Sequence, residues 1–174
     1  MVVRVFGFGY HSFLNEHIKK NKCKRLMEIG VYDGENAKNM IEAAKKNFPP
    51  EEIEYYGFDY FESEAHYQKV YKKLKETGSK FKLFKGDSKV TLPQHINELP
   101  IMDLIFIDGG KSYETAKSDW ENCKKLLGDH TVVFVHNYGF PGVKRAIDEI
   151  PRDKYVVEII YPPNDYVTAR IRKR

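Results

Sequence analysis

The stretch Leu26-Met-Glu-Ile-Gly-Val-Tyr-Asp-Gly34 decides the fold that this sequence predicts. Its first half, which is mostly apolar, forms most of a predicted strand, residues 25–29. Its two glycines indicate a sharp turn after that strand. The following segment, residues 35–47, carries apolar side chains at helical spacing and stops before two prolines. The stretch therefore predicts a strand that turns directly into a helix, the first half of a βαβ unit.

The same alternation of short apolar runs and longer helical segments continues along the chain. This pattern is typical of parallel strands connected by helices. The fourth run is apolar throughout, as expected for a central strand buried on both faces. The predicted strands are residues 25–29, 54–58, 80–84, 102–107 and 131–135. The predicted helices are residues 11–20, 35–47, 62–77, 89–99, 113–127 and 143–150, with Gly78 and Gly128 ending two of them.

The chain ends in two further predicted strands, residues 155–161 and 166–171, joined by Pro162-Pro-Asn-Asp165. Four residues cannot hold a crossover helix, so these strands must form an antiparallel hairpin. We expect an α/β fold: a Rossmann-like, seven-stranded, mostly parallel sheet with a C-terminal antiparallel hairpin and helices on both faces. Residues 1–174 are expected to form a single domain, with a cap segment at 1–24 and a core at 25–174.

Composition indicates a globular protein without a strong preference for a charged partner. Hydrophobic residues make up 41% of the chain, and the net charge of +4 is the balance of 29 basic and 25 acidic residues. Mixed charge of this kind makes nucleic acid an unlikely partner. The two cysteines, Cys23 and Cys123, lack the spacing of a zinc or redox site, which favours a reducing compartment. No apolar run is long enough for a membrane span, and residues 1–10 do not look like a secretory signal, so we expect a cytoplasmic protein.

The strand-to-helix turn is the first candidate site. Glu28, Gly30 and Gly34 form an E-x-G-x-x-x-G pattern. Glycine lets the backbone turn sharply and lets a ligand approach the helix N-terminus. Glu28 could accept hydrogen bonds from a cationic amino group. The alternative is that the glycines only shape a tight turn.

Further acids follow the next two strands. Asp59 ends the second strand about 25 residues past the glycine turn, near the offset of roughly 20 residues at which an acid meets ribose hydroxyls in nucleotide-binding α/β folds. Asp87 and Ser88 follow the third strand, where an adenine amino group would lie. Ser88 could instead cap the next helix. All these positions fall on the carboxyl edge of the sheet, where open α/β folds bind ligands.

In its motif order from Leu26 to Ile171 the chain resembles the class I S-adenosylmethionine-dependent methyltransferases. The resemblance implies that Glu28, Gly30 and Gly34 surround the methionine moiety, that Asp59 binds the ribose, and that Asp87 and Ser88 lie near the adenine.

The fourth strand ends in Ile107-Asp-Gly-Gly-Lys-Ser-Tyr113, which resembles the I-D-G-x-H-x-Y stretch of sugar and small-molecule O-methyltransferases, with Lys111 in place of the histidine. It is more distantly similar to the cation-dependent catechol-type enzymes, where the acid holds a metal and a lysine takes the substrate proton. Asp108 matches both branches. The fifth strand ends in Phe134-Val-His-Asn-Tyr138, where His136 and Asn137 resemble the H-D pair of the first branch and the D-N pair of the second.

These matches imply a divalent metal site and a general base. Asp108, His136 and Asn137 would supply a carboxylate, an imidazole and an amide oxygen, a set that suits Mn²⁺ or another borderline ion better than Mg²⁺. Lys111 or His136 is the candidate base on an acceptor hydroxyl. In the alternative, Asp108 only shapes a loop, Lys111 is solvated, and His136 donates to a nearby carbonyl.

The sequence thus predicts an S-adenosylmethionine-dependent O-methyltransferase acting on a small molecule or sugar, with Asp108 as a catalytic residue. Two alternatives stay open: a catalytically silent S-adenosylmethionine-binding module, and a NAD-binding Rossmann oxidoreductase. The segments outside the core strands are short, so a second subunit of a homodimer could complete an open acceptor cleft.

Overall fold

A computed structural model describes residues 9–174 of the chain. The first part of the predicted cap segment, residues 1–8, lies outside the described residues. The strands are β1 (Arg25–Ile29), β2 (Glu54–Asp59), β3 (Lys80–Lys85), β4 (Met102–Ile107), β5 (Leu127–Val135), β6 (Tyr155–Ile160) and β7 (Thr168–Lys173). The helices are α1 (Ser12–Asn21), α2 (Glu35–Ala44), α3 (Glu64–Lys75), α4 (Ser88–His95), α5 (Tyr113–Cys123) and α6 (Pro141–Asp148).

All seven strands form one sheet in the order β3-β2-β1-β4-β5-β7-β6. Strands β1 to β5 are parallel to one another. Strand β7 pairs antiparallel with both β5 and β6. The order reverses between β1 and β4, so the carboxyl ends of these strands flank the crevice where open sheets bind ligands. The predicted sheet and its terminal hairpin are confirmed.

Two apolar cores cover the two faces of the sheet, as predicted. Helices α1, α2 and α3 pack on one face, and α4, α5 and α6 pack on the other. Strand β4 contributes to both cores because its side chains alternate between the faces: Leu104 and Phe106 point to the first, Ile105 and Ile107 to the second. This alternation confirms the prediction of a central strand buried on both sides.

The largest boundary error concerns Gly128, which was expected to end a helix. Helix α5 instead stops at Cys123, a short 3₁₀ turn follows, and β5 already begins at Leu127. The Thr131 hydroxyl accepts a hydrogen bond from the Gly128 amide at 2.7 Å and donates to the Met102 carbonyl at 2.5 Å. These contacts hold Leu127 beside Met102 across a register irregularity. The strand is therefore four residues longer than its apolar run indicates.

Other boundaries move by a few residues. Helix α2 ends at Ala44 rather than at residue 47, and α3 begins at Glu64 because the Ser63 hydroxyl accepts the His66 amide at 3.1 Å. Helix α6 begins at Pro141, a residue suited to the first helical position. Within residues 9–174, no helix combines the length and the apolar character needed to cross a membrane.

Candidate active site

A cavity of about 430 Å³ opens at the carboxyl edge of the sheet. Its walls come from the turns that follow β1, β2, β3 and β4, so residues far apart in sequence meet there. Among the predicted site residues, the cavity is lined by Glu28, Gly30, Asp59, Ser88 and Asp108. His11, which the sequence analysis did not single out, also lines it.

The turn after β1 requires glycine at Gly30. The backbone there is left-handed, with φ at +91°, and a Cβ would lie 2.4 Å from the Asp108 carbonyl oxygen. The Gly30 amide donates to the Phe58 carbonyl at 2.8 Å. Gly34, also left-handed, is the N-cap of α2, and a Cβ on it would meet Val70 at 2.9 Å. Gly30 thus lets the β1 and β4 turns meet at the cavity wall, as the tight-turn interpretation requires, while its role in ligand binding stays a prediction.

Glu28 is a buried carboxyl group at the bottom of the cavity. Its Oε1 accepts a hydrogen bond from the Asn36 side-chain amide at 2.7 Å, and its Oε2 accepts one from the Tyr55 hydroxyl at 2.5 Å. Burial raises the pKa of Glu28 to about 8, although these two hydrogen bonds oppose the shift. The group therefore holds a proton near neutral pH and gains a charge most readily when a cation comes close.

Asp59 shapes the rim of the cavity. Its Oδ2 accepts the Tyr32 backbone amide at 2.9 Å, and its Oδ1 accepts the Phe61 amide at 2.8 Å. Tyr32 and Phe61 both have left-handed backbones, with φ of 51° and 47°. Such conformations are unfavourable for side chains of this size and persist only where neighbouring groups hold them. Asp59 therefore fixes the two loops on either side of the cavity.

Asp87 and Ser88 take different places. Asp87 is the N-cap of α4, since its side chain accepts the Lys89 amide at 2.9 Å, and it is not among the residues that line the cavity. The alternative that Ser88 caps the helix is wrong, because Asp87 does so. Ser88 follows as the first helical residue and lines the cavity.

Asp119 on α5 is a buried carboxyl group beside the cavity wall. It lies behind the β4 turn, where a Cβ on Gly109 would come within 3.1 Å of its Oδ2. Burial raises the pKa of Asp119 to about 6. Asp119 therefore lies directly behind Gly109 of the cavity wall, a position that the sequence motif alone does not indicate.

Asp108, Lys111 and His136 come together, as the sequence predicts for a reaction centre. Asp108 Oδ1 lies 2.5 Å from Lys111 Nζ and 3.1 Å from His136 Nδ1. Despite its burial, these two cationic partners lower the pKa of Asp108. The carboxyl group is therefore ionised at neutral pH and connects the cavity wall to two candidate proton carriers.

The other nitrogen of His136 contacts a residue that sequence reasoning missed. Nε2 lies 2.8 Å from Asp165 Oδ1, in the loop between β6 and β7. Burial of the imidazole opposes protonation, but the hydrogen bonds to Asp108 and Asp165 raise the pKa of His136. Asp165 Oδ2 in turn lies 2.7 Å from His11 Nδ1. The hairpin loop gave no sign of this role, because its sequence indicated only a connection.

Asn137 lies apart from this group. It has a left-handed backbone, with φ of 58°, and lines a separate groove with Phe140 and Tyr166. Asp108 and His136 therefore meet, while Asn137 faces a different surface. Its role as a metal ligand stays a prediction.

The glycine bend, the separated acids and the strand order define an open α/β protein with its ligand site at the carboxyl ends of the strands. A family model described as a methyltransferase domain matches residues 27–138, more than half of the chain. The chain belongs to this methyltransferase domain family. A search of curated proteins gives no match.

Solved structures of methyltransferases share the fold. The TDP-rhamnose 3'-O-methyltransferase CalS11, from calicheamicin biosynthesis, is 20% identical with a TM-score of 0.74 over 92% of this chain and 75% of that one. An O-methyltransferase from Bacillus cereus, solved with SAH, is 16% identical with a TM-score of 0.74 over 93% and 79%. The SAH-bound Podospora anserina methyltransferase PaMTH1 is 20% identical with a TM-score of 0.69 over 94% and 77%.

Proposed function

We propose that this protein transfers the methyl group of S-adenosylmethionine to a hydroxyl oxygen of a small molecule or sugar. The observation that carries the proposal is the convergence of the glycine bend, Glu28, Asp59 and Ser88 on one cavity whose wall also holds Asp108. Family membership supports methyl transfer. The structural relatives titled O-methyltransferases support oxygen as the acceptor atom.

The cavity suits a sulfonium nucleoside chemically. Glu28 offers a carboxyl group to the amino group of the methionine moiety, and Gly30, which also lines the cavity, offers its backbone to the same moiety. Asp59 is the proposed ribose ligand, because a carboxylate can accept hydrogen bonds from two hydroxyls. Ser88 is the proposed residue nearest the adenine, with Asp87 acting through the cap of α4.

Methyl transfer forms an oxygen–carbon bond and breaks the carbon–sulfur bond, while the hydroxyl proton must go to a base. The cofactor supplies the activated methyl group on a sulfur leaving group. Lys111 fits the role of base better than His136, because 29% of its side chain is exposed against 2% for His136, so its unprotonated amine could reach an acceptor hydroxyl. Asp108 then positions the acceptor and Lys111.

The remaining expectations are also part of this proposal. We propose a single domain over residues 1–174 that works in the reducing cytoplasm, where the buried free thiols of Cys23 and Cys123 would persist. The acceptor is proposed to be a small molecule. A homodimer is the oligomeric state to be tested by light scattering.

Titration calorimetry with S-adenosylmethionine and with NAD tests the cofactor. We expect binding heat with the first and none with the second; the reverse result would make the protein a NAD-binding one. A methyl-transfer assay with labelled cofactor over metabolite pools, with and without chelator, then tests the reaction. Cofactor binding without any labelled product would indicate the silent binding module.

The Lys111→Ala variant tests the base. We expect methyl transfer to fall by about 10²- to 10⁴-fold, the usual contribution of a general base, with little change in cofactor affinity. Lys117→Ala is the matched control, since Lys117 lies on α5, the helix that follows the Lys111 loop, and pairs with Glu149 at 2.8 Å on the surface. Unchanged turnover in Lys111→Ala would reject the role of Lys111, and unchanged turnover in His136→Ala would reject that of His136.

A further inference from the structure

We propose that His11, His136 and Asp165 form a binding site for a divalent transition-metal ion beside the cavity. Each residue offers one ligand atom, and these atoms all lie within 4.8 Å of one another. The side chains are almost fully buried, with 2%, 2% and 5% of their surface exposed. The three residues come from the start of α1, the end of β5 and the loop between β6 and β7, so only the tertiary structure brings them together.

The donor set selects the kind of ion. Two imidazoles and one carboxylate suit Zn²⁺, Mn²⁺, Co²⁺ or Fe²⁺, whereas Mg²⁺ and Ca²⁺ prefer oxygen ligands. The two carboxylate oxygens of Asp165 each face one imidazole, at 2.7 Å from His11 Nδ1 and 2.8 Å from His136 Nε2. An ion would take the place of the protons in these two hydrogen bonds.

Asp108 supports this site from outside the ligand set. Its Oδ1 lies 3.1 Å from His136 Nδ1, so it orients the imidazole and directs Nε2 towards Asp165. Metal-binding histidines commonly have such a carboxylate on their second nitrogen. Asp108 and Asp165 together supply two negative charges, which match the charge of a divalent ion.

Aromatic rings pack against the buried site. The Phe106 ring lies 4.9 Å from the His11 ring and 5.6 Å from the His136 ring, and the Tyr166 ring lies 5.6 Å from the His136 ring, measured between centroids. A low-dielectric environment strengthens the attraction between the ion and its carboxylate. The set differs from the sequence-predicted one: His136 is shared, Asp108 becomes a supporting residue, and Asn137 is outside.

The test measures metal directly and needs no activity. Full-length protein is stripped with chelator, dialysed against Zn²⁺ or Co²⁺, and analysed by elemental analysis and visible absorption of the cobalt form. We expect one ion per chain, with the cobalt bands of a nitrogen- and oxygen-ligated site. A wild-type protein that binds no ion at this stoichiometry would overturn the proposal.

Variants locate the site. We expect His11→Ala and Asp165→Asn each to weaken binding by at least about 100-fold, and Asp108→Asn by about 10- to 100-fold. His130→Ala is the matched control, because His130 is an exposed histidine on β5, the strand that His136 directly follows, and should keep full binding. Normal binding in Asp165→Asn, or loss of binding in Asn137→Ala with Asp165→Asn unaffected, would contradict the assignment. Calorimetry with S-adenosylmethionine is independent of these readouts, so the proposed function can fail or hold separately.

Discussion

The Gly30→Ala variant is expected to lose about 2–5 kcal/mol of unfolding free energy, from combined backbone strain and overpacking. Its new methyl group would meet the Asp108 carbonyl oxygen at 2.4 Å and the carbonyl carbon at 2.8 Å. Both atoms belong to the backbone of the turn that follows the neighbouring strand β4, so they cannot rotate away as a side chain could. The left-handed φ of +91° adds strain for any residue with a Cβ.

Chemical denaturation measures this loss, and Gly139→Ala is the control. A Cβ at Gly139 would have no heavy atom within 4 Å, so we expect that variant to stay within about 0.5 kcal/mol of the wild type, as surface substitutions usually do. Cofactor affinity should fall in Gly30→Ala because the β1 and β4 turns must separate. Equal stability of the two variants would show that the close approach at Gly30 is not a constraint.

The Glu28→Gln variant is expected to bind S-adenosylmethionine about 10- to 100-fold more weakly at pH 8.5, the usual cost of losing a charge-assisted hydrogen bond. The wild-type carboxyl group, whose pKa is raised to about 8, is mostly ionised at that pH and can receive the ligand's ammonium group. Below pH 8 the wild type must release a proton on binding. Calorimetry in buffers of different ionisation enthalpy would detect that proton.

The same substitution weakens cofactor binding but should raise the free energy of unfolding. Because burial raises the Glu28 pKa to about 8 from 4.5, the folded state holds a proton that the unfolded state releases between these values. Wild-type stability therefore falls as pH rises from 4.5 to 8. Without ligand, Glu28→Gln should be about 2–4 kcal/mol more stable than the wild type at pH 8 and equally stable at pH 4.

Glu158→Gln is the control for both measurements. Glu158 is an exposed strand residue that pairs with Arg170 at 3.2 Å, so its replacement should alter neither cofactor affinity nor the pH profile. Unchanged cofactor affinity in Glu28→Gln at pH 8.5 would remove Glu28 from the proposed cofactor site. A stability difference that does not depend on pH would show that the Glu28 pKa is the same in the folded and unfolded states.

Most features that depend on residues close together in the sequence were predicted correctly. Several features that depend on contacts between distant segments were not. The glycine bend and the acid at the end of β2 could be predicted because strand, turn and helix follow each other within a few residues. The prediction that Gly128 ends a helix was wrong. Its amide donates to the Thr131 hydroxyl, which donates to the Met102 carbonyl, and these contacts, made only in the folded sheet, place Gly128 in β5. Asp87 and Ser88 are adjacent, and only the helix geometry shows which of them caps α4 and which faces the cavity.

The sequence by itself determined the order of the strands and helices, the terminal hairpin, and the positions at which the chain turns at the carboxyl edge of the sheet. These features depend on hydrophobic periodicity and on the backbone preferences of glycine and proline, which are local properties. The tertiary structure alone decided that Asp165 meets His11 and His136, across 154 and 29 residues of chain. Such contacts depend on how distant segments pack in three dimensions, and no local pattern encodes that distance.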